Sequence, residues 1–186
     1  MSKSAYHHGD LKATLLAAAA DQVANDGVDS ISLRALAQRV GVSHAAPAHH
    51  FGNRQGLFTE LAIEGYGLLE QELHSAAGNF REMAVAYIRF MLQHPGHFDV
   101  MFRTDLLAAD DERLIAAREG SGRELRTGVT ELDNPVADSR ATQLAAWSLV
   151  HGFAALWRAG ALTQSELGAE NPEELARYMV AAVDLR

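Results

Sequence analysis

The chain has 186 residues, a hydrophobic fraction of 48% and a formal net charge of −8. It has no cysteine, so disulfides, thiolate metal sites and cysteine nucleophiles are excluded. The N-terminus lacks an apolar segment of the signal-peptide kind, and no apolar run approaches the ~20 residues of a membrane span. A cytosolic protein is therefore expected.

Alanine and leucine supply much of the apolar content, and β-branched residues form no long runs, which favours helices. Asp10 is placed to cap a first helix, Leu11 to about Asn25, with Leu11, Leu15, Ala18, Ala19 and Val23 at helical spacing and Gly27 at its end. Ser32 caps a short helix, Leu33 to Val40, and Gly41 makes a turn. Ser43 is then expected to cap a third, His44 to about His50, with Pro47 near the end of its first turn. After Gly52-Asn53, a long helix runs from about Arg54 to Ala77. Its Gly65 and Gly67 serve either close packing or a compliant point.

Further helices are expected at Phe80–Gln93, His97 to about Phe102, 110–127, 138–159 and 172–184, the last opening on a proline. The prediction is an all-α chain of about nine helices. Residues 1–57 form a head and residues 58–186 a body. Charge divides along the same line. The head carries five basic and four acidic residues, the body eleven and twenty, and five of the nine histidines lie in the head.

The stretch Ser32–Phe51 is helix, glycine turn, helix. That is the pattern of a helix-turn-helix, whose second helix enters the major groove, although any helical hairpin shares some of its features. The N-terminal amides of that helix and the Ser43 hydroxyl can approach phosphate. His44 and His49 can donate to base-edge acceptors, and Ala45 and Ala46 can touch thymine methyls. Arg34 and Arg39 reach phosphates or solvate the second helix. Phe51 and Leu57 are expected in the core.

Residues 6–62 resemble the DNA-binding head of the tetracycline-repressor family. The resemblance lies in Ser32-Leu33-Arg34-Ala35-Leu36-Ala37, Gly41-Val42-Ser43, and His50-Phe51 followed by Arg54 and Leu57. Tyr6-His7-His8-Gly9-Asp10-Leu11 and His44-Ala45-Ala46-Pro47 are similar to one subgroup, whose C-terminal domain is named for a Trp-His-Gly signature. Trp147, His151 and Gly152 match that signature here, and His94-Pro95-Gly96-His97 with Met101-Phe102-Arg103 also looks like that domain.

The resemblance implies a wingless helix-turn-helix binding a palindromic operator in double-stranded DNA. It implies a C2 homodimer through helices 138–159 and 172–184, and a small-molecule effector in the body whose binding releases a repressor. His50 and Arg54 match positions that hold the DNA backbone. Ala48 departs from the family, which usually places a tyrosine there to reach a phosphate, and usually arginine or another polar residue at the His49 position. His49 and a tail carrying Lys3, His7 and His8 are expected to offset the lost contact.

For the effector, Met91, Phe98, Met101, Phe102, Trp147, His151 and Trp157 either line a pocket or are ordinary core. Trp147 and His151 lie one turn apart, and mid-helix Gly152 suggests close approach by a partner helix or a ligand. An enzyme is the rival reading, with His94 and His97 as metal ligands, joined by His74 or His151. No His-Glu-x-x-His, phosphate-binding glycine loop or nucleophile elbow supports it. Asp110-Asp111-Glu112 reads as the acidic start of a helix. No cofactor, metal or catalytic residue is expected.

Overall fold

In the computed structural model the residues described are 8–130, 139–162 and 171–182. Among them the chain forms nine α-helices and one 3-10 turn, with no strand. The helices are α1 (His8–Asp26), α2 (Leu33–Val40), α3 (Ala46–Phe51), α4 (Arg54–Ser75), α5 (Phe80–Gln93), α6 (Pro95–Met101), α7 (Glu112–Thr130), α8 (Ser139–Arg158) and α9 (Pro172–Ala182), with the 3-10 turn at Val28–Ser30. The expected tail residues Lys3 and His7, the polar stretch 163–170 and the end of the last predicted helix lie outside the described residues.

Side-chain caps set several helix starts. Ser32 accepts from the Ala35 amide at 3.1 Å, as its position predicts. Asn79 accepts from the Arg81 and Glu82 amides at the start of α5. Asp111 accepts from the Arg113 and Leu114 amides at the start of α7, so the acidic run is a helix start as expected. Asn171 accepts from the Glu173 amide before α9.

Four starts differ from expectation by two or more residues: α6 begins at Pro95, not His97, α7 at Glu112, not 110, and α1 and α3 also shift. The first helix begins at His8, ahead of Asp10, which is thus inside the helix and not its cap. The third begins at Ala46, not His44, and Ser43 is left in the preceding turn. Proline decides this. With Ala45 at the cap, Pro47 falls in the opening positions, whose amides have no helical partner to lose.

The helices gather into two compact units. One holds the described chain up to Tyr66 with His94–Arg118, the other Gly67–Gln93 with the described residues from Glu119 onward. The head–body boundary expected at 57/58 falls inside α4, and the units divide nine residues later.

In the first unit α1 packs on α2, α3 and α6. Leu15, Ala19, Leu36, Leu57, Leu61 and Met101 are completely buried. Gly96 brings α6 against the α1 backbone so closely that a Cβ there would collide with the Ala20 carbonyl. Gly65 is likewise a packing glycine, since its Cβ would meet Met101 Sδ at 2.6 Å. Gly67 has nothing within 4 Å of such an atom, so packing does not require it.

In the second unit α5 packs on α9 and α8, burying Ile88, Phe90, Met91, Ala154 and Ala176. Arg89 lies between Glu72 (3.7 Å) and Glu173 (3.2 Å), tying α4, α5 and α9 at their surface.

Candidate nucleic-acid interface

The first unit builds a rigid platform under α3. Gly41 takes a left-handed conformation (φ 76°), which a residue with a side chain rarely adopts. Its amide and that of Val42 close the end of α2 by donating to the Gln38 and Ala37 carbonyls at 3.2 and 3.0 Å. Pro47 and Phe51 anchor α3 by burial. The outward side is Ser43, His44, Ala45, Ala48 and His49, all exposed. The His49 and His50 rings meet edge-on at 5.5 Å.

The predicted contact residues separate on this platform. Ser43, His44, Ala45 and His49 share the exposed face, which Ala48 joins. Ala46 and His50 are half-buried. Arg34 is exposed on α2, whereas Arg39 is paired with Asp21 of α1.

Arg54 turns inward. Its Nε donates to the Ile31 carbonyl at 3.1 Å and one Nη to the Val28 carbonyl at 2.6 Å, while the guanidinium lies 4.8 Å above the Phe58 ring. The 3-10 turn is thus pinned to α4 by a side chain expected at DNA. Gln22 ties the same turn to α1, its amide nitrogen donating to the Ser30 carbonyl at 3.0 Å.

A second set of bonds fastens residues 94–118 to α4 within this unit. Gln55 donates to the Leu107 carbonyl, the Ala108 amide donates to Thr59 Oγ1, and Tyr66 donates to the Met101 carbonyl. His97, nearly buried, lies 2.9 Å from Glu64. Glu60 accepts from Lys12 (2.7 Å) and Arg113 (2.6 Å). Burial works to raise its carboxyl, but the hydrogen bonds and charges of those two cations outweigh it and hold the group below the usual carboxylate range.

The residues considered for an effector divide between the units. Phe98, Met101 and Phe102 belong to the first, where Phe102 meets Phe98 at 5.5 Å and Tyr66 at 6.1 Å, and Met101 packs against Gly65. Met91, Trp147 and His151 belong to the second. There His151 Nδ1 is 2.8 Å from the buried Tyr87 hydroxyl, and the Trp147 ring is 5.5 Å from the imidazole. Burial depresses the His151 pKa, favouring the neutral ring. Tyr87, which the sequence reading did not single out, lies one turn before Met91.

Trp157 stacks on Phe153 at 6.1 Å. Gly152 has nothing within 4 Å of an added Cβ, so no described part of this chain makes the close approach expected of it. Among the described residues no three histidine, aspartate or glutamate side chains group as metal ligands, and no helix is long and apolar enough to cross a membrane.

The three-helix platform and the chain's family resemblances agree. Residues 15–61 match the model of the bacterial regulatory proteins of the tetR family, and residues 80–183 match the tetracyclin repressor-like C-terminal domain. The chain belongs to the tetracycline-repressor (TetR) family of transcriptional regulators.

A protein of unknown function from Rhodococcus sp. RHA1 is 31% identical, with coverage of 97% of this chain and 96% of that one and a TM-score of 0.76. The TetR family transcriptional regulator PfmR from Thermus thermophilus shares the fold at 22% identity, 89% and 94% coverage and a TM-score of 0.71. A tetR-family regulatory protein from Rhodococcus RHA1 does so at 16% identity, 92% and 94% coverage and a TM-score of 0.71. Among curated proteins none matches.

As in the family, the N-terminal domain is the DNA-binding part of this TetR regulator and the C-terminal domain the ligand-binding part.

Proposed function

We propose that this TetR regulator is a cytoplasmic, non-enzymatic repressor that binds a palindromic operator as a homodimer and releases it when an effector binds. The observation that carries the reading is the exposed face of Ser43, His44, Ala45, Ala48 and His49, held by the buried Pro47 and Phe51 on a fully packed head. Arg34 supplies a phosphate contact beside it. Arg54 acts from beneath, by pinning the 3-10 turn.

The homodimer is assigned to α8 and α9. Along α8, Ala141, Leu144, Ala145, Ser148, Ala155 and Leu156 are all exposed and recur at helical spacing, with Leu144 at 59% and Leu156 at 49%. Tyr178 of α9 is 63% exposed. A monomer rarely leaves so continuous an apolar face in water. The bare Gly152 lies on the same face and lets a partner helix come close. Two-fold pairing through this face sets two heads on half-sites about 34–36 Å apart.

The effector is assigned to the second unit, where the Trp147 ring and the Tyr87–His151 pair suit a flat apolar molecule with one hydrogen-bonding group. Such a molecule acts only through a difference in its affinity for the DNA-competent and released states.

Fluorescence anisotropy of a labelled duplex from the region upstream of the coding sequence tests the reading. Affinity that exceeds that for a scrambled duplex and falls steeply with salt is expected. Equal affinity for the two duplexes, or none for either, overturns it.

A further inference from the structure

Residues 43–50 read Ser-His-Ala-Ala-Pro-Ala-His-His. No arginine, lysine, asparagine, glutamine, aspartate or glutamate is among them, so no side chain on this segment can grip a base edge with two hydrogen bonds. The exposed members able to reach a base are His44, Ala45, Ala48 and His49, while Ala46 is half-buried and Pro47 is buried. Ala45, at the helix cap, and Ala48 are three residues apart, so both methyls point from one side of α3. His44 and His49 flank them.

We propose that Ala45 and Ala48 are specificity-determining residues that read the 5-methyl group of thymine in each operator half-site, with His44 and His49 supplying single hydrogen bonds to purine acceptors on either side. This inference rests on the DNA-binding reading above. The chemistry selects the ligand. An alanine methyl offers nothing to a base except apolar contact, and thymine is the base that carries an apolar group in the major groove. Short side chains also let the helix lie close to the base edges, so each methyl pair is shut off from water. The position where the family usually has tyrosine is thus given to base reading here, and Ala48 replaces Ala46 as the second methyl reader.

The test uses the full-length dimer and a probe enriched from a randomised duplex pool, prepared once with thymine and once with deoxyuridine, which lacks the methyl. Wild type should bind the thymine probe about three- to fivefold more tightly for each methyl contacted. Ala48→Ser, which keeps a small side chain but is polar, should lose that preference while its salt dependence stays as in wild type. Ala45→Gly, at a cap position where glycine is tolerated, should lose it in part. Equal affinity of wild type for the two probes would overturn the inference and leave the DNA-binding reading standing. If the pool yields no enriched sequence at all, both fall together. The probe comparison on wild type needs no substitution to fold.

Discussion

The two units spend their apolar residues differently. The first closes on itself except at Ile115, 41% exposed on α7. Gly96 lies against the Ala20 carbonyl, Gly65 against Met101, and α4 is bonded to residues 94–118 at Gln55, Thr59, Glu60, Glu64 and Tyr66. The second leaves Leu144, Trp147, Leu156 and Tyr178 exposed. A surface that must present one geometry to DNA gains from internal rigidity. In the proposed dimer, the surface that pairs with its copy stays apolar until the copy arrives. The contrast teaches that glycines of one chain can have opposite meanings: Gly96 is needed by its own fold, whereas a Cβ at Gly152 would meet nothing in the described chain, which suits the close partner helix of the proposed dimer.

The largest effect should come from breaking the open face. Leu144→Arg with Leu156→Arg puts four charges into a two-fold interface, where central apolar anchors are worth about 2 kcal/mol or more each. Light scattering after gel filtration should give the monomer mass, with the helical circular dichroism kept. A dimer mass for this variant would remove α8 from the interface.

Breaking the closed unit comes next. Gly96→Ala should lower stability by about 1–3 kcal/mol through overpacking against the α1 backbone. Gly67→Ala should raise it by up to about 1 kcal/mol, because it meets no atom and gains helix propensity. Urea unfolding followed by the helical circular dichroism reads both, and equal shifts would erase the distinction between these two glycines.

Arg54→Met should cost about 1–3 kcal/mol, since the Val28 and Ile31 carbonyls lose a charged donor. The salt dependence of DNA binding should stay unchanged. A slope smaller by about one counter-ion with unaltered stability would return Arg54 to the phosphates.

The smallest effect concerns pH. The folded state depresses the His151 pKa, so below the ordinary histidine value the unfolded chain takes up the proton more readily. Stability from the neutral ring is therefore fully present above about pH 6.5 and declines as pH falls below it. The melting temperature of His151→Gln should fall less than that of wild type between about pH 7 and 5. The Glu60 cluster does not confound this window, because its carboxyl is held below the usual range and is lost only in stronger acid. Parallel curves for the two proteins would contradict a half-buried neutral His151.

Local signals made much of the fold legible. Ser32, Gly41, Asp111 and the proline at the start of α9 mark their boundaries by chemistry confined to a few residues. Ser43 misled because a serine before an apolar run resembles a cap, while Pro47 sets the start two residues later. The destination of Arg54 was not legible: its carbonyl partners lie 23 and 26 residues away, in a turn that no periodicity announces. The same holds for Gly96, which is required by Ala20, far back in α1. On α3, exposure separates Ala48 from Ala46, which sequence spacing alone does not do. The residues expected at an effector read as one wall in sequence and fall into two units in space, because Gln93 and His94 part company there.

Selection of binding sites from a randomised duplex pool by the full-length protein, read by sequencing, tests the central claim most directly. An inverted repeat with half-site centres about 10–10.5 base pairs apart, or a multiple of that, is the predicted result. A pool that emerges with the composition it had at the start, at salt low enough to retain nonspecific binding, would contradict the account.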